Sequence, residues 1–309
     1  MDSNKINEWL AKTTPWTNVY GLSRTLLAFS TFITLILNDT TSLFRITNDM
    51  DVHQSCVNSY SLFCLTDFTS NQLTILKWLS AIILLVVASG WRPKYTGILH
   101  AYIALSFNQG VITVDGADQA VAVFTLILLP LTLTDKRKWH WQSVEIHYSP
   151  LSKIIGLSSY YAFRIQVAIL YFHSFIAKLI ESEWVHGTAV WYYLQGQLYG
   201  FHEALFDFFR PLLSSAFIVI PTWGTLLIQI LLFMALLMPK KYWKYVLILA
   251  IIMHEIFAVL LGLVSFSIAI IGILILYLRP VENTFQFMGA RKLIKGLKNI
   301  NIYKMRRTS

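Results

Sequence analysis

Residues 155–180, IGLSSYYAFRIQVAILYFHSFIAKLI, form an apolar run with Arg164 near mid-length and Lys178 close to its end. A helix needs about 20 predominantly apolar residues to cross the hydrocarbon core of a bilayer, so this stretch predicts a membrane-spanning helix. Directly beyond it come Glu181, Glu183, Trp184 and His186. Ionisable groups gathered where a span meets water are costly to keep there and mark a functional site by default.

The rest of the chain agrees with a membrane setting. Of 309 residues, 56% are hydrophobic, 15% aromatic and only 13% charged, which is too apolar for a water-soluble domain. Further long apolar runs predict helices at Val19–Leu37, Leu73–Gly90, Thr96–Ile112, Gly116–Thr134, Thr222–Met238, Lys244–Leu263 and Val264–Leu278. The expected fold is therefore all-α, a polytopic helical bundle of about eight transmembrane helices over residues 1–280, followed by a basic cytoplasmic tail over 281–309. Asp207, Arg210 and Pro211 interrupt Leu205–Ile220, which reads as an interfacial or re-entrant helix. No cleavable signal peptide is expected, because Val19–Leu37 is too long for a signal core and lacks a clear cleavage site.

Charge sets the expected orientation. The N-terminus, Arg92–Lys94, Asp135–Lys153, Lys240–Lys244 and the segment after Leu278 hold 19 of the 25 Lys and Arg residues, all on one side of the eight-helix scheme. Cytoplasmic loops retain such residues, so both termini are expected in the cytoplasm. The same loops and tail supply most of the net charge of +9, which points to anionic lipid and gives no reason to invoke nucleic acid. The opposite face carries ten acids and both cysteines. Cys56 and Cys64 would meet oxidising conditions there, where they form either a bridge closing a small loop or two free thiols.

Three polar groups converge on that acidic face: Asp115 with Asp118, the stretch Lys178 to His186, and His202 with Glu203. Asp115 and Asp118 open a helix, where acids cap backbone N–H groups; they also suit a substrate amine. Lys178 either snorkels to the interface or points inward as a base or nucleophile. His186 and Glu183 join it as candidate acid–base or orienting groups, and Trp184, His202 and Glu203 as candidate substrate contacts. His254 and Glu255 fall midway along a span, and Arg164 is the natural partner for Glu255 in a structural pair joining two helices. No metal cluster is expected, the hydrolase and phosphate-loop motifs are missing, and no cofactor can be assigned.

The run Phe172-His173-Ser174-Phe175-Ile176-Ala177-Lys178-Leu179, then Trp184, then Gly187-Thr188-Ala189-Val190, resembles the core signature of the HTTM family, the membrane domain shared with vitamin K-dependent gamma-carboxylases. Val114-Asp115-Gly116-Ala117-Asp118 and Met253-His254 leading to Val264-Ser265-Phe266-Ser267 look like further blocks of that family. The first of these blocks, with Leu133-Thr134-Asp135-Lys136-Arg137-Lys138-Trp139-His140-Trp141, is similar to the bacterial branch of the sporulation-delaying protein B type. That resemblance implies a plasma-membrane protein that matures a secreted antimicrobial peptide from a longer precursor. Its implied companion is a small partner of the sporulation-delaying protein A type. The wider family implies Lys178 as the base. Other implied readings are a non-catalytic scaffold or immunity protein that binds the peptide, and a vitamin K- or quinone-dependent carboxylase-like enzyme.

Overall fold

The computed structural model describes residues 13–44, 60–64, 70–112, 114–143, 148–196, 200–201 and 203–286. Its elements are α1 (Asn18–Leu37), α2 (Thr40–Phe44), a 3-10 turn at Leu62–Cys64, α3 (Ser70–Ser89), α4 (Pro93–Gly110), α5 (Gly116–Leu133) and α6 (Pro150–Leu179). There follow α7 (Ser182–Val185), α8 (Ala189–Leu194), α9 (Glu203–Leu213), a 3-10 turn at Ala216–Ile218, α10 (Val219–Met234), α11 (Lys240–Leu261) and α12 (Val264–Leu278). Among the described residues there is no strand.

Apolar patterning places the helices and local chemistry sets their ends. α4 and α6 start earlier than hydropathy alone suggests because Pro93 and Pro150 occupy the first helical positions. There the fixed φ of proline favours the helix and its missing N–H costs nothing. Ser149 adds a cap, its Oγ accepting the Ser152 N–H at 3.2 Å.

Among the described residues six helices are long and apolar enough to cross a membrane: α1, α3, α5, α6, α10 with its preceding turn, and α11. The expected number was about eight. α12 is apolar but only 15 residues long, and α4 carries Lys94, His100, Asn108 and Gln109. α12 is nevertheless the central element: apolar all round, it packs against α1, α5, α6 and α11. Gly272 permits the approach of α1, since a Cβ there would lie 2.9 Å from Leu26 Cβ and 3.1 Å from the Ser23 carbonyl. One apolar core fills the space among α1, α5, α6, α11 and α12, and a second, with Leu35, Phe44, Phe63, Leu84 and Phe107, joins α1 to α3 and α4. Outward-facing Ile82, Leu85, Ile98, Ile169, Leu227 and Ile248 stay exposed, as lipid-facing side chains do.

The end of the bundle at which α5 finishes and α6 begins is closed by the loop after Leu133. Arg137 binds Asp135 at 2.7 Å, and its Nη1 donates to the carbonyls of His140 at 2.8 Å and Gln142 at 2.9 Å. His140 is thereby pressed into the bundle, fully buried, with its ring against Gly21 and Gly90. Gly90 has φ +90°, and a Cβ there would fall 2.3 Å from the His140 ring, so glycine is required twice over. The buried Arg24 completes the joint, donating to Thr96 Oγ1 at 2.6 Å and to the Val87 carbonyl at 3.4 Å. Asn18 and Phe285 exchange two hydrogen bonds, so the described chain enters and leaves at this same basic end.

Cys64 is disulfide-bonded. Its expected partner Cys56 lies outside the described residues, as do His202 and the tail beyond residue 286. The interrupted segment at Leu205–Ile220 forms α9 and the short turn after it, with Phe208, Phe209 and Leu212 exposed.

Candidate functional site

At the opposite, acidic end, α5 begins, α6 ends, α11 ends and α12 begins, and this places most of the sequence-derived candidates together. Lys178 lies on the last turn of α6, half-buried. Its Nζ donates to Ser174 Oγ at 2.9 Å and approaches the Ser174 carbonyl at 3.5 Å. A spacing of four along a helix puts the two side chains on one face. The ammonium also lies 5.2 Å from the centre of the Trp184 ring. Lys178 makes no ion pair among the described residues.

Trp184 is carried by α7, just past the end of α6, and is buried against Phe175, Ala189 and Leu226. Its carbonyl accepts the Trp223 indole N–H at 3.2 Å, which ties α7 to α10. Its own Nε1–H is buried with no acceptor among the described residues. Glu183 and His186 are exposed on the same short turn. No hydrogen bond or ion pair brings either side chain to Lys178, so the structure does not gather them into its cluster.

His254 forms the next layer. Its Nδ1 lies 2.7 Å from the Ala250 carbonyl, and a carbonyl can only accept, so that nitrogen carries a proton. In the neutral ring Nε2 is then the acceptor for the Tyr171 hydroxyl at 3.4 Å. Tyr171 precedes Lys178 by two turns of α6, so this layer lies next to the Lys178 cluster along the same helix. The ring of Phe266 packs on the other side of His254 and reaches toward Gly116 at the start of α5. The next residue, Glu255, accepts a hydrogen bond from Ser267 on α12.

Arg164 is not paired with Glu255, contrary to expectation. Tyr171 is level with His254, and Arg164 lies two turns, about 10 Å, further toward the basic end on the same helix. It is buried there among Trp243 at 4.1 Å, Tyr277 at 5.6 Å and Tyr160 at 6.0 Å, with Nε and Nη2 lacking acceptors. Hydropathy cannot show such a register difference between two parallel helices.

Asp115 and Asp118 lie beside this layer but use their hydrogen bonds on the helix start. Asp115 Oδ1 accepts the N–H groups of Ala117 at 2.8 Å and Asp118 at 2.9 Å, and Asp118 accepts the Asp115 N–H at 3.4 Å. This is a reciprocal cap built from two aspartates. Glu203 begins α9, while His202 is outside the described residues. Among the described residues no three His, Cys, Asp or Glu side chains are grouped to hold a metal ion. Ser174 and Ser267 had no sequence-derived role. Of these only Ser174 had a visible signal, its spacing of four from Lys178.

No family model matches the chain, and no solved structure matches it. Two proteins of Bacillus subtilis (strain 168) do match over almost the whole length. YitO is 48% identical over 286 residues, covering 92% of this chain and 93% of that protein. The sporulation-delaying protein SdpB is 32% identical over 295 residues, covering 94% of this chain and 90% of SdpB. Similarity across all the apolar helices, together with the helices themselves, makes this a multi-pass membrane protein. With the aspartate cap, the Lys178 cluster and the basic-end loop all inside the matched length, the chain belongs to the family of the sporulation-delaying protein SdpB.

Proposed function

We propose that this protein matures a secreted toxin or antimicrobial peptide from a longer precursor at the outer face of a bacterial plasma membrane. The observation that carries the reading is the cluster at the acidic end: Lys178 on Ser174 and Trp184, with the Tyr171–His254 pair two turns before it along α6. Membership of the SdpB family supplies the peptide context. In this reading α4 and α12 complete eight traversals, both termini are cytoplasmic, and the acidic end faces outward. Lys178 acts as base or nucleophile, Trp184 and the α7–α9 region hold the substrate, and Asp115 and Asp118 keep the start of α5 in place. A small partner of the sporulation-delaying protein A type acts with it, and residues 1–280 form the working membrane domain.

A second reading is a scaffold that holds the precursor for another protein to cut. It is favoured by the exposed rings of Tyr192, Tyr193, Phe208, Phe209, Phe217 and Trp223 at the same end. Mass spectrometry of peptide released by cells carrying wild-type or Lys178→Ala protein at equal membrane levels separates the two. Loss of the mature mass with accumulation of a longer species is the expected result; an unchanged mature mass overturns the role of Lys178 and leaves the scaffold.

A further inference from the structure

We infer that Ser174 and Lys178 form a serine–lysine dyad and that maturation is hydrolysis of a peptide bond in the precursor; this rests on the maturation reading above. Three observations carry it. Ser174 Oγ and Lys178 Nζ are 2.9 Å apart, the separation a nucleophile and its base require. Among the described residues no carboxylate lies within ion-pair distance of Lys178 to hold it as a permanent ammonium, and exposed Glu181 acts on it only from longer range. Trp184 Nε1–H, on the ring 5.2 Å from Lys178 Nζ, is a buried donor with no acceptor among the described residues, which suits an oxygen that gains charge only during reaction.

The chemistry balances with water as the one co-reactant. With Lys178 as the neutral amine, the hydrogen bond reverses and Nζ accepts the Oγ–H proton. Ser174 Oγ attacks the scissile carbonyl carbon, and the carbonyl oxygen takes up negative charge as the C–Oγ bond forms. Collapse of that intermediate breaks the C–N bond, and the proton on Lys178 passes to the departing amine. A water then attacks the Ser174 ester, Lys178 takes its proton, and the C–Oγ bond breaks. Ser174 regains its proton and the upstream fragment leaves with a new carboxyl terminus. Serine–lysine pairs serve acyl transfer in unrelated folds, so the constellation is recognised by geometry and not by sequence order. The dyad lies on the last two turns of α6, at the acidic end of the bundle.

The discriminating variants are Ser174→Ala, which removes the nucleophile, and Lys178→Arg, which keeps the positive charge and the interfacial position but cannot act as a base. Cells bearing each variant, a strain without the protein, and a Ser174→Ala/Lys178→Arg double variant are compared for released mature peptide at equal membrane abundance. Ser174→Ala, Lys178→Arg and the double variant are each expected to lower the mature mass to the level of the strain without the protein, since residues acting as one unit do not add. Full product from Ser174→Ala alongside loss in Lys178→Arg overturns the dyad and leaves the maturation reading standing. Full product in the strain without the protein overturns the maturation reading itself. Should Ser174→Ala fail to reach the membrane, Lys178→Arg decides: retained product there overturns the dyad, and lost product at normal abundance supports it.

Discussion

At the scale of single residues, Arg164 shows how this bundle treats a buried charge that makes no ion pair among the described residues. Its guanidinium is buried, stacks on Trp243 at 4.1 Å and leaves Nε and Nη2 without acceptors. A cation over an indole contributes up to about 2 kcal/mol when desolvated, while an isolated buried charge costs several. The balance predicts that removing the charge while keeping the volume does no harm. Purified Arg164→Met is expected to melt no lower than wild type in the same detergent. Trp243→Ala, which takes away the stacking face and opens a cavity, is expected to lower stability by about 3–5 kcal/mol. A large loss in Arg164→Met would mean that the guanidinium has a favourable partner that the aromatic enclosure does not explain. Lys178 is the contrasting case, half-buried with its donor directed at a hydroxyl on its own helix.

At the scale of elements, the loop from Leu133 to Trp141 does more than hold positive charge. It inserts His140 between α1 and α3, against Gly21 and Gly90, with Thr25 Oγ1 3.2 Å from Nε2. Burial, with the positive charges of Arg24 on α1 and Arg137 in the loop, holds the His140 imidazole well below its ordinary value of 6.5. The unfolded chain therefore takes up this proton before the folded one does as the pH falls. Stability contributed by the neutral ring is complete above 6.5 and is lost progressively below it, by up to about 1.4 kcal/mol per pH unit. Melting curves from about pH 7.5 to about pH 5.5 should show this fall, and His140→Asn should flatten it. Parallel curves for the two proteins would remove His140 from the explanation. The helices around this loop were legible in the sequence because apolar length is a local signal, and Val264–Leu278 is found with the bounds expected. The joint itself was not, since it depends on Gly90 and His140 meeting across about fifty residues of chain.

At the scale of the whole molecule, charge asymmetry and function are one question. The chain is basic at the end where Asn18 meets Phe285 and acidic at the end where α5 begins and α6 finishes. The spacing of Lys, Arg, Asp and Glu between the apolar runs carries that polarity by itself, and the convergence of Lys178 and the aspartate cap on one end follows from helix order alone. The side-chain partners do not, because hydropathy counts turns along a helix but not its rotation. Arg164 therefore had to be found among aromatic rings, away from Glu255. Polarity becomes orientation only when tied to a side of the membrane. Lys138 is exposed in the basic-end loop and Glu183 is exposed beside Lys178, so a cysteine at either position reports one face. Cys64 is already disulfide-bonded and leaves a low background. A membrane-impermeant maleimide added to intact cells is expected to label Glu183→Cys at once and Lys138→Cys only after permeabilisation, as the positive-inside rule requires. The reverse pattern would put the Ser174–Lys178 pair in the cytoplasm, where it could reach a precursor only before secretion, and would exclude maturation at the outer face.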